Sequence, residues 1–96
     1  MQVKFKEWNC EILFKQYSNK RTAIVLRDSE DGSPIATATI NLLDIPLQED
    51  EVIIKDYAEN EGMYEALLEA GVIAPSTYSV QSGYVICPVC KLLITK

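Results

Sequence analysis

The stretch Asn60-Glu61-Gly62-Met63-Tyr64-Glu65-Ala66-Leu67-Leu68-Glu69-Ala70-Gly71 is where the hydrophobic period of the chain changes. Met63, Leu67 and Ala70, joined by Tyr64 and Leu68, recur at three-to-four spacing, so a helix over about 60–70 has one apolar side. Asn60 carries the short acceptor side chain that suits an N-cap, and Gly71 can adopt the left-handed conformation that ends a helix. A helix of about three turns is marginal alone in water, so it is expected to form by docking Met63, Leu67 and Leu68 on another apolar layer.

That layer lies upstream. Met1, Val3 and Phe5 alternate with Gln2, Lys4 and Lys6, the period of two that gives a strand one buried and one wet face. Cys10, Ile12 and Phe14 repeat the pattern, Ser18-Asn19-Lys20 reverses the chain, and Thr22 to Leu26 is an aliphatic run suited to a central strand. Turn formers from Asp28 to Pro34 lead into Ile35 to Leu42, completing a meander of three or four strands over the first 43 residues. Val52-Ile53-Ile54 reads as one more strand, and Tyr84 to Ile94 as a closing one after the turn Gln81-Ser82-Gly83. The expectation is an α+β fold: an antiparallel β-sheet of about five to six strands with one α-helix, about 60–70, packed on one face.

The 96 residues, 48% hydrophobic and 24% charged, suit a single domain, 1–96, which can bury a core without metal or disulfide staples. No apolar run approaches a membrane span, and the N-terminus lacks the apolar core of a signal segment. Three cysteines make an odd number, which argues for reduced thiols. A cytoplasmic chain that begins at or near Met1 is expected.

Cys87-Pro88-Val89-Cys90 has the spacing of half a zinc knuckle, where a tight turn aims two thiolates at one ion. Tetrahedral zinc needs four ligands, and the chain offers only Cys10 besides, with no histidine, so the zinc alternative is a homodimer in which each chain supplies Cys87 and Cys90. A redox pair would need a helix N-terminus after the first cysteine, and the residues that follow favour β-structure. In a regular strand, residues three apart project from opposite faces and cannot share an ion, which makes both thiols structural. Pro88, lacking an N–H, suggests an irregularity there. No cofactor is expected.

Charge is unevenly distributed. From Asp44 to Glu69 nine carboxylates face the single base Lys55, a balance of −8, while the other five acids and eight bases give +3. Glu61, Glu65 and Glu69 recur every four residues, a repulsive spacing that helix stability does not ask for. With Asp56 and Glu59 they form a candidate surface for a basic protein, such as a nucleic-acid-binding protein or a nuclease channel. Solvation of a helix face explains the same pattern. The scattered lysines and arginines argue against direct nucleic-acid binding. With no histidine and four dispersed glycines, neither a triad nor a phosphate-cradling loop is visible. Asp28 to Gly32 lacks calcium-loop ligand spacing and reads as a hairpin turn. Trp8, Tyr17, Tyr57, Tyr64, Tyr78 and Tyr84 could serve either as interface anchors or as packing.

The run Lys55-Asp56-Tyr57-Ala58-Glu59-Asn60-Glu61-Gly62, with Ala70-Gly71-Val72-Ile73, resembles a family of small uncharacterised bacterial proteins designated only as a domain of unknown function. The likeness runs from Asp31-Gly32-Ser33-Pro34-Ile35-Ala36-Thr37 to Pro88-Val89-Cys90. Those proteins are carried by conjugative elements and prophages. The resemblance implies no activity and no catalytic residues; it implies a mobile-element setting, where small acidic proteins that block host defences are common. The expected function is a non-enzymatic protein-binding module acting through its acidic helix surface, with the zinc-linked homodimer or a small-ligand-binding domain as alternatives.

Overall fold

A computed structural model describes residues 2–94. The alternating segments form β1 (Gln2–Phe5), β2 (Trp8–Gln16), β3 (Thr22–Asp28) and β4 (Pro34–Thr37), an antiparallel meander ordered β1-β2-β3-β4. Val3 and Phe5 are buried while Gln2 and Lys4 are exposed, so the alternation chose the inward face correctly. Met1 lies outside the described residues. Strand β3 sits between two neighbours, as its aliphatic run requires. The Asp28–Ser33 loop is a hairpin turn: Asp28 Oδ1 accepts from the Glu30 N–H and Asp31 Oδ1 from that of Ser33.

The remaining strands form a second sheet. They are β5 (Glu51–Ile53), β6 (Tyr78–Ser82) and β7 (Val85–Lys91), all antiparallel in the order β5-β7-β6. The described residues thus hold seven strands in two sheets, where the sequence suggested five or six in one. Continuity of the chain joins the sheets: Ala38 N–H donates to Ile24 in the first, and Thr39 then bridges Ile54 beside the second. Thr39 is buried, and its hydroxyl is kept satisfied by the Ile24 N–H and by Tyr17 Oη at 2.9 Å.

Strand β6 is the element missing from the sequence reading. Its residues Tyr-Ser-Val-Gln-Ser are mostly polar and exposed, and the Gln81-Ser82-Gly83 turn formers masked its end. The turn lies one residue later, at Gly83-Tyr84, with Gly83 at φ +61 in the first central position, as a type II′ hairpin requires. The closing strand is Val85–Lys91, shorter than the Tyr84–Ile94 expected, although Leu92 still bridges Ile73.

Helix α1, Met63–Glu69, has seven residues, about two turns where three were expected. Asn60 is not its N-cap. It ends a short 3-10 turn, Ala58–Asn60, and its buried side-chain amide donates to the Thr37 carbonyl at 2.7 Å, tying this turn to the end of β4. Gly62, at φ +95, immediately precedes the helix and supplies no side chain. Asp56 does the capping from six residues upstream, its Oδ1 accepting the N–H groups of Gly62 and Tyr64 at 3.0 Å each. The C-terminus follows the sequence reading: Gly71 has φ +75, its N–H donates to Leu68, and the Val72 N–H reaches back to Leu67, a Schellman closure.

Two clusters hold the fold together. In the larger, Met63 and Leu67 of α1 pack with Val3, Phe5, Ile24 and Leu26 of the first sheet and with Val52 and Cys90 of the second. In the smaller, Ile53, Cys87 and Val89 meet Ile40, Leu42, Ile45 and Leu47 from the segment that wraps the outer face of β7. Arg21 pins that wrap: its guanidinium donates to the Leu42 carbonyl at 2.7 Å and also to that of Ile45.

Candidate functional site

The five carboxylates that formed the candidate surface have different fates. Asp56 is half-buried and committed to the start of α1. Alanine there removes an acceptor shared by two backbone donors, so Asp56→Ala is expected to lower the unfolding free energy by about 2 kcal/mol. Chemical denaturation followed by circular dichroism checks this; a loss under 0.5 kcal/mol would mean that water caps the helix equally well.

Glu59 is exposed yet paired. Its Oε1 accepts from Lys55 Nζ at 2.6 Å, and its backbone carbonyl accepts from Lys6 Nζ at 2.8 Å. The hydrogen bond holds the Glu59 carboxyl below its ordinary value and raises the Lys55 ammonium above its own. Lys6 belongs to the β1–β2 turn, so these contacts tie the first hairpin to the 3-10 turn.

Glu61, Glu65 and Glu69 are exposed, and among the described residues none of them forms an ion pair. Glu61 lies before Gly62, outside the helix, so only Glu65 and Glu69 share a helical stripe. The Glu65–Glu69 spacing remains a like-charge pair in a helix too short to have stability to spare.

Cys87 and Cys90 take opposite faces of β7. Cys87 lies in the smaller cluster and Cys90 in the larger, both buried, so one ion cannot take both sulfurs from the same chain. Burial also keeps both sulfurs away from the surface, where a second chain would have to reach them. Among the described residues no three cysteines, aspartates or glutamates gather as a metal would need. Burial pushes the Cys90 thiol up to about 12 and raises Cys10 and Cys87, with Asp28 and Asp56 adding to the respective shifts. Such thiols are poor nucleophiles.

Pro88 sits in the middle strand of the second sheet without breaking it. Its carbonyl accepts from the Ile54 N–H at 2.9 Å, so its backbone faces β5. Pro88 lies opposite Ile54, just past the last paired position Ile53↔Val89, so its missing N–H removes only a bond at the end of that ladder.

Clefts open at the surface among the described residues. One, of about 380 Å³, lies beside Lys55 and Glu59 and is walled by Tyr17, Thr37, Asn41 and Asn60. Its polar groups are largely spent on structure: Tyr17 Oη bonds to Thr39, and the Asn60 amide bonds to Thr37. Another, about 800 Å³, runs between Arg21, Glu49 and Leu92 and mixes both charge signs. The structural duties of Arg21 and Thr39 had no signal in the sequence, because both act on backbone carbonyls and amides far along the chain. No helix among the described residues is long and apolar enough to cross a membrane. Comparison of the chain with family models, with curated proteins and with solved structures gave no match.

Proposed function

We propose that the protein is a non-enzymatic binding module that presents Glu61, Glu65 and Glu69 to a basic surface on another protein. The observation that supports this is the division among the acids. Asp56 is committed to a helix terminus and Glu59 to Lys55, whereas these three are exposed and form no ion pair among the described residues. A field of one sign steers an oppositely charged partner and sets its orientation. A mobile-element accessory role directed at a basic component of host defence is the setting that the sequence resemblance implies.

Reversal of the three charges (Glu61→Lys, Glu65→Lys, Glu69→Lys) is expected to weaken partner capture from an extract of the native host by about tenfold or more. Wild-type capture should also weaken as salt rises from about 0.1 to 0.5 M, because exposed charges are screened. Unchanged capture by a variant with native circular dichroism would remove this surface from consideration.

A further inference from the structure

We propose that the open edge of β6 is a self-association surface, through which two copies of the chain pair β6 against β6 around a two-fold axis at Val80. The proposal goes beyond the acidic surface and does not rest on it, since Glu61, Glu65 and Glu69 lie outside β6 and β7.

The first observation is compositional. In a chain where about one residue in four is charged, residues 70–90 contain no Asp, Glu, Lys or Arg, and this run includes all of β6 and all of β7 except Lys91. Natural sheets protect an edge strand with lysine, proline, a bulge or a covering segment. Strand β6 is exposed along most of its length, carries neither charge nor proline, and pairs in unbroken register from Tyr78↔Val89 to Ser82↔Val85. Tyr78, Tyr84 and Ile86 on this hairpin are among the large hydrophobic side chains left exposed, Tyr84 completely and Ile86 at 72%.

The second observation fixes which backbone groups are offered. Because the Pro88 carbonyl is turned toward β5, the Ser79↔Pro88 pair is not a hydrogen-bonded one, and the Ser79 N–H and C=O point away from β7 to the open edge. Gln81, two residues on, points the same way. An antiparallel copy centred on Val80 sets Ser79 opposite the partner's Gln81 and Gln81 opposite the partner's Ser79. The outward donors and acceptors then satisfy one another, and Val80 meets its own copy in the closer, non-hydrogen-bonded position. The result is one continuous six-stranded sheet.

The charge distribution argues for a second copy as the occupant. The chain carries a net −5, concentrated between Asp44 and Glu69, so two copies repel across most approaches. Residues 78–90 of the hairpin carry no charge of their own, with Glu51 accepting from Tyr78 Oη at 3.3 Å at one end of β6, and the register complements itself.

Sedimentation equilibrium of the full chain tests this, with wild type compared to Ser79→Pro and Gln81→Lys. Proline at 79 removes an outward N–H that β7 does not use, so the hairpin should survive; lysine at 81 instead sets two like charges beside the axis. Wild type is expected at twice the 10.8 kDa chain mass, and both variants at once that mass with unchanged circular dichroism. A wild-type monomer across the micromolar to millimolar range would overturn the proposal, as would a dimer that persists in both folded variants. Capture of some other protein through β6 by a monomeric wild type would overturn the second copy as occupant.

Discussion

Leu67→Ala is expected to lower the unfolding free energy by about 3 kcal/mol, within the range for emptying a well-packed leucine site. Leu67 is completely buried in the cluster that joins α1 to both sheets, among Val3, Phe5, Met63 and Val52. A seven-residue helix has almost no stability of its own, so the whole cost falls on docking. For a domain of this size the loss corresponds to a fall in Tm of roughly 12–20 °C. Leu68, next in sequence but only half-buried, should cost about 1 kcal/mol when replaced in the same way. Urea unfolding followed by circular dichroism measures both. Equal costs for the two leucines would show that α1 is not seated with Leu67 inward.

The second large effect is an alkaline loss of stability driven by the thiols. Burial keeps Cys10, Cys87 and Cys90 protonated, so each binds its proton more tightly in the native state than in the unfolded chain. Unfolding is indifferent to this below the ordinary thiol value of 9.0; as pH rises from there toward about 12 for Cys90, the unfolded state gains by ionising and stability falls. At pH 10.5 Cys90 alone should account for about 2 kcal/mol relative to pH 8. Cys90→Val keeps an apolar side chain against Val52 and removes the titrating group. Urea midpoints at pH 8 and 10.5 should therefore converge more closely in the variant than in wild type. The same decline in both would mean that Cys90 ionises freely in the folded protein. These thiols suit a core and not a reagent.

Much of the local structure was legible in the sequence because period and turn chemistry are local properties. The two-residue alternation at Val3 and Phe5 placed β1 and its buried face, and the spacing of Met63 and Leu67 placed the buried side of α1. Gly71 stopped the helix because no other residue takes φ +75 so cheaply. The same alternation foretold that Cys87 and Cys90 would part to opposite faces. The candidate surface was only half legible. Exposure of Glu65 and Glu69 followed from spacing, whereas the place of Glu61 outside the helix and the engagement of Asp56 with Gly62 and of Glu59 with Lys55 depended on how the 56–62 segment turned.

By itself, then, the sequence determined an antiparallel meander, a helix with one apolar side, and a concentration of acid between Asp44 and Glu69. Tertiary structure alone decided the split into two sheets, the pairing of the polar β6, and the use of Asn60 as a tie to β4 in place of a helix cap. The physical reason is that periodicity reports which face of an element leaves water. Which strand lies beside which, and which polar side chain reaches a distant carbonyl, is set by long-range packing that no window of sequence contains.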